Sequence, residues 1–170
     1  MSHTIVEQTA ERTLARLELQ FEVDQLNAAY AAVLDEKRFD AWPEFFLEDG
    51  RYTLQARENF DRSLPLALMD LESRGMMKDR VYGITQTIYH GPYYMRHVIS
   101  PAQLVASEEG LIRAQAHYAV FRTRPAGVSE VYNVGRYIDV LSRVGGQLKF
   151  KSRLAVYDSE MVLNSLIYPV

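Results

Sequence analysis

From about Val98 onward the apolar residues recur at every second position, a period that fits extended strands and not helices. Ile112, Ala114, Ala116, Tyr118 and Val120 share one face of a strand, with Arg113, Gln115 and His117 on the other. A further strand runs through Tyr132, Val134, Ile138 and Val140. The last sets Leu148, Phe150, Leu154 and Val156 against Lys149, Lys151 and Arg153. Pro125–Gly127 and Gly145–Gly146 fall between these runs, where the turns of antiparallel hairpins belong. A sheet of this kind has an apolar face to bury, and another part of the chain must cover it.

The N-terminal half supplies the cover. Leu19, Val23, Leu26, Tyr30 and Val33 recur at helical spacing while Gln20, Asp24, Asn27 and Glu36 keep largely to other faces. A second helix is expected from an N-cap at Asp40, with Pro43 in its first turn, Trp42, Phe45 and Phe46 on its apolar side and Gly50 at its end. Arg51 to Ala56 reads as a short strand. Leu64, Leu68 and Leu71 suggest a third helix, capped by Ser63 and ending near Gly75. Helices first and antiparallel strands afterwards make an α+β domain, with a long curved sheet wrapped on one helix.

The 170 residues suit a single domain spanning 1–170, with 1–16 expected as a flexible N-terminal extension. A formal charge of −3 gives no basic face for nucleic acid. No apolar run approaches the roughly 18–20 residues of a membrane helix. The opening residues lack the layout of a secretory signal, so a cytoplasmic location is the expectation. There is no cysteine, which excludes disulfides, thiolate nucleophiles, thiolate zinc sites and any self-contained iron–sulfur cluster.

Of the four histidines, His90 and His97 flank a dense aromatic stretch. With Asp158 they would make a two-histidine, one-carboxylate iron site, but Gly91–Pro92 interrupts the segment and no carboxylate follows at helical spacing. A structural junction is the better reading. His97 shares a strand face with Met95 and Ile99, and inside a cone it could act as a base oriented by Asp40. The plainer alternative is a core histidine with one hydrogen bond. His117 belongs to a polar face. Tyr82, Tyr89, Tyr93 and Tyr94 lie close in sequence to Arg96, a mixture favoured at interfaces and equally ordinary as core filler. The apolar run Leu166, Ile167, Tyr168, Pro169 and Val170 must either fold back over the chain's own sheet or dock on another subunit, and the second is the expectation. No phosphate loop, nucleophile elbow or metalloprotease helix occurs.

Several segments resemble the small (β) subunits of Rieske-type aromatic ring-hydroxylating oxygenases. They are Asp40–Phe46 with Gly50–Tyr52, Arg57–Phe60, Asp79–Gly83, Arg96–His97, Gly135–Asp139, Ser152–Ser159 and Ile167–Pro169. Arg57–Phe60, Leu64–Leu66 and Ser159–Met161 are most similar to the salicylate 5-hydroxylase small subunit. Terephthalate, anthranilate and benzoate oxygenases offer the nearest competitors. The resemblance implies a nuclear-transport-factor-like (cystatin-like) cone, and a self-associated trimer within an α3β3 hexamer. It implies a large α subunit that holds the Rieske cluster and the mononuclear iron and is served by a ferredoxin and a reductase. It assigns this chain no catalytic, metal or cofactor residue, only a structural role in aromatic-compound catabolism. Arg96, His97, Tyr93, Tyr94, Arg153, Leu166, Ile167, Tyr168 and Val170 are the expected interface or structural residues. The same fold type leaves open an isomerase, dehydratase, cyclase or binding module with a small pocket near His97.

Overall fold

The computed structural model describes residues 2–108, 110–159 and 166–170. Its first element is α1 (Ser2–Asp35), whose opening turns come from the segment expected as an extension. At 1.5 Å per residue α1 is about 50 Å long. Residues 10–18 are exposed, while Val23, Asn27, Tyr30, Val33 and Leu34 are buried. A 3₁₀ helix (Phe39–Phe45) follows, in which Asp40 is internal and does not cap. Here β1 (Phe46–Ala56) begins before Gly50, the residue expected to end a helix.

The leucine-based third helix is absent. Instead α2 (Arg57–Asp61) precedes the short β2 (Met69–Leu71). The true helix, α3 (Arg74–Tyr82), starts with Ser73 and not Ser63 as N-cap, its Oγ accepting from Met76 N at 3.2 Å. The physical reason is burial: Leu68 is exposed and Leu64 and Leu71 are only half-buried, so the three do not form the apolar side of a helix. A π-helical turn (Gly83–Thr87) leads into β3 (Tyr94–Ile99), β4 (Gln103–Glu108), β5 (Leu111–Thr123), β6 (Ser129–Val144) and β7 (Gln147–Tyr157).

These strands make one seven-stranded sheet in the order β2-β1-β7-β6-β5-β3, with β4 also paired to β5. All pairings are antiparallel but one: β1 runs parallel to β7, so the sheet is mixed. Its concave face packs on the buried side of α1 and on Trp42. The β6 and β7 backbones approach closely at Gly135, where a Cβ would lie 2.0 Å from the Val156 carbonyl oxygen.

Two bulges decide which residues face inward. Between Val120↔Asn133 and Phe121↔Val131 the register shifts, leaving Tyr132 as the extra residue on β6. Beyond it Gly135, Tyr137, Asp139 and Leu141 point inward, while Val134, Ile138 and Val140 face outward. On β7, Lys151 is extra between Phe150 and Ser152. A bulge moves every later side chain to the opposite face. Arg153 is therefore buried and Leu154 turned out, the reverse of the simple alternation.

Candidate functional site

The wide interior of the cone holds an ion pair where an open pocket would lie. Arg153 is fully buried; its Nε donates to Asp139 Oδ1 at 3.0 Å and its Nη2 to Asp139 Oδ2 at 2.8 Å. Nη2 also donates to Asn27 Oδ1 on α1. The guanidinium lies 4.3 Å from the Tyr30 ring centroid and 4.0 Å from those of Tyr137 and Phe150. Burial works against the arginine's charge, but the Asp139 carboxylate outweighs it and raises the Arg153 pKa. The cation is fixed, and it ties α1, β6 and β7 together at one point.

The C-terminal residues close the mouth of the cone. Leu166, Tyr168 and Val170 are buried in the chain's own core, which corrects the expectation of an outward-docking tail. Tyr30 and Tyr52 donate their hydroxyls to the Val170 backbone oxygen at 3.0 and 3.1 Å, and Val170 N donates to Tyr52 Oη at 3.0 Å. Burial pushes the Tyr30 hydroxyl up to about 12 and that of Tyr52 well above its ordinary value, so both stay protonated donors. Arg80 donates to the carbonyls of Leu166 and Ile167 at 3.2 and 2.6 Å. Tyr168 packs 4.7 Å from both Phe39 and Tyr93 and bonds to His90 Nε2. Once Arg80 supplies its cation to the tail's backbone, the run has every reason to fold inward.

His97 does lie on the inward side of β3 with Met95, but its orienting partner is Asp35, not Asp40. Nδ1 is 2.7 Å from Asp35 Oδ1, and the His97 backbone N–H donates to both carboxylate oxygens at 3.2 and 3.1 Å. Asp40 lies elsewhere, in a surface depression with Pro43, Lys78 and Tyr82. A signal for Asp35 was available: it ends α1, where the helix dipole disfavours an acid, so it needs a dedicated partner. The His97 side chain is wholly shielded and its Nε2 has no hydrogen-bond partner. The groove running above it, between α1 and β3, is rimmed by Asp24, Asp35, Glu36 and Arg96. The dyad clasps α1 to β3 and presents no exposed basic nitrogen.

The other residues of the conceivable iron triad go to separate partners. His90 meets Tyr168 and the Ile88 carbonyl, and Asp158 pairs with Arg57 at 2.8 Å. Among the described residues no group of three or more acids and histidines is placed to hold a metal ion. His117 is exposed on the outer face of β5, its backbone N–H donating to Ser100 Oγ.

The outside of the molecule is less finished than the inside. Val98, Val131 and Val134 are 59%, 55% and 38% exposed on the outer face, with Ile138, Val140 and Leu154 half-buried beside them. The tyrosine cluster divides. Tyr93 is buried, with its hydroxyl pKa raised by burial, whereas Tyr82, Tyr89 and Tyr94 are exposed and Arg96 reaches into solvent. No helix among the described residues is long and apolar enough to cross a membrane.

Comparison with known proteins places the chain in a family. A family model described as "Ring hydroxylating beta subunit" matches residues 29–164. The anthranilate 1,2-dioxygenase small subunit of Burkholderia cepacia is 33% identical over 150 residues, 88% of this chain and 93% of the relative. The crystal structure of a beta subunit ascribed to an aromatic-ring-hydroxylating dioxygenase of Novosphingobium aromaticivorans is 36% identical. It superposes with a TM-score of 0.84 over 92% of this chain and 99% of that one. A protein ascribed to the scytalone dehydratases of the same organism shares the fold alone, at 17% identity and a TM-score of 0.68 over 90% and 94% of the two chains. With a filled cone, an open outer face and a family match over most of its length, the chain belongs to the ring-hydroxylating beta subunits, the small subunits of aromatic-ring dioxygenases.

Proposed function

We propose that this chain is the non-catalytic scaffold of an aromatic-acid oxygenase. Its role is to hold iron-containing large subunits in register, as a trimer within an α3β3 assembly. The observation that carries this reading is the filled cone. A stand-alone isomerase, dehydratase or cyclase needs a pocket that admits substrate beside an acid or base. Here Arg153, Asp139 and three aromatic rings occupy that space, Val170 closes the mouth, and His97 is shielded. In the assembly the Rieske cluster and mononuclear iron belong to the large subunit, and a ferredoxin and reductase deliver electrons to it. A single-ring acid such as anthranilate or salicylate is the proposed substrate, and the cytoplasm the proposed location.

The outer face supports the scaffold role. Exposed valines beside half-buried aliphatics suit the apolar core of a stable interface, and exposed tyrosines with arginine suit its anchors. Affinity purification of the tagged chain from cells that co-express its cognate large subunit tests the reading. The expected product is a brown, iron-containing complex with equal amounts of both chains. A chain that purifies alone and turns over a small hydrophobic substrate would refute it.

A further inference from the structure

At one end of the sheet, two arginines share a single carboxylate. Arg122 Nε and Nη2 lie 2.9 and 2.8 Å from Glu130 Oε1, and Arg124 Nη1 lies 3.0 Å from the same oxygen. The Arg122 side chain is only 5% exposed and is braced by aromatic faces, 4.4 Å from the Tyr132 centroid and 5.8 Å from that of Tyr93. Both arginines line a cleft of about 200 Å³ with His90, Pro92, Tyr93 and Ile167. No acid is among the described residues that line the cleft. Two guanidinium groups against one carboxylate leave a net positive charge there, on a chain whose formal charge is −3.

A guanidinium held by stacking is pre-organised, and its planar fork matches a carboxylate. Glu130 uses one oxygen, Oε1, for both arginines. The surroundings have the composition of a contact site. Val128, in the β5–β6 turn beside Arg124, is 86% exposed; Tyr89, just before the cleft's Gly91–Pro92 wall, is fully exposed; Tyr94 pairs with Thr123, next to Arg124. Pro92 and Ile167 give an apolar throat suited to the stem of an acidic side chain.

We infer that this cleft seats an aspartate or glutamate side chain of the large subunit, whose carboxylate bridges Arg122 and Arg124. The inference rests on the scaffold reading above, and charge complementarity selects the occupant. The site fixes the register of the two chains, because a buried fork accepts a carboxylate in few orientations.

The test measures assembly with the co-expressed cognate large subunit as a function of salt, for wild type, Arg124→Glu, Arg124→Lys and Arg62→Glu. Arg124 and Arg62 are both half-exposed or more, so these variants fold, and the unfolding temperature of each isolated chain verifies it. Arg124→Glu is expected to weaken assembly by about tenfold or more and to flatten its salt dependence. Arg124→Lys falls between, and Arg62→Glu, on α2, stays within about twofold of wild type. Equal effects of Arg124→Glu and Arg62→Glu would overturn the inference. So would benzoate binding to the isolated chain that Arg124→Glu abolishes while assembly is unchanged, since the cleft would then serve a free acid. If the wild-type chain does not assemble at all, the scaffold reading fails first and takes the inference with it.

Discussion

The two faces of the sheet treat polar and apolar groups in opposite ways. On the concave face, charge is buried and matched: Arg153 has Asp139, Asn27 and three rings around it. On the convex face, apolar side chains are left uncovered at Val98, Val131 and Val134. A monomer built only for stability would put its aliphatics inside and its charges outside. This chain spends interior space on an ion pair, whose net worth against an apolar replacement is near zero or negative. The contrast marks the interior as a device for uniqueness and the exterior as the part that meets other molecules.

Removing Leu166–Val170 should break the inside most severely. The deletion exposes the cavity that Leu166, Tyr168 and Val170 fill, each worth about 1.5–3 kcal/mol when buried. It also strands the hydroxyls of Tyr30 and Tyr52. The expected product is an unfolded or aggregated chain; a soluble truncated chain with native circular dichroism would show that the tail is dispensable.

Arg153→Met alone should cost about 3–5 kcal/mol in denaturant unfolding, because Asp139 is left charged and buried. The double change Arg153→Met with Asp139→Leu should recover most of that loss. If the double variant is as unstable as the single one, the ion pair contributes more than fold specificity.

His97→Ala comes next, at about 1–3 kcal/mol, since Asp35 loses a buried hydrogen-bond partner. Turnover per mole of intact complex should not change. A fall of about a thousandfold with normal assembly would match loss of an acid or base, and would end the scaffold reading.

Val134→Asp sharpens the contrast from the other side. On the isolated chain its effect on stability should stay within about 0.5 kcal/mol, as for an ordinary surface site. Sizing of the co-expressed complex should nevertheless show assembly lost. A normal complex would place the interface elsewhere on the molecule.

Much of the architecture was legible in residue order. The helical period from Leu19 to Val33 and the period-two runs after Val98 come from burial on one side, and both elements are where that physics puts them. What stayed hidden arises from single inserted residues. Nothing in the types Tyr132 or Lys151 announces a bulge, yet each reverses the facing of all that follows, so Arg153 read as part of one polar strand face with Lys149 and Lys151. The leucines at 64, 68 and 71 misled for the opposite reason: their spacing is helical, but Ser73 offers the cap that the backbone uses. The Asp35–His97 contact joins residues 62 apart in the chain, and only the misplaced charge at a helix end hinted at it. The Arg122–Arg124 cleft was missed because these two residues look like an ordinary strand end until Glu130 and the tyrosine rings are placed around them.

The parallel pairing of β1 with β7 has a consequence for how the molecule comes into being. β7 lies in the middle of the sheet, between the early β1 and the late β6, and the residues after it reach back to Tyr30 and Tyr52. During synthesis α1 and β1 leave the ribosome without the strand that will join them to the rest. Their apolar surfaces stay wet until more than a hundred further residues have emerged. Contacts of such long sequence separation form slowly and leave intermediates prone to aggregation. Completion of the fold thus waits on the last strand, and a chaperone is best placed to act in that interval.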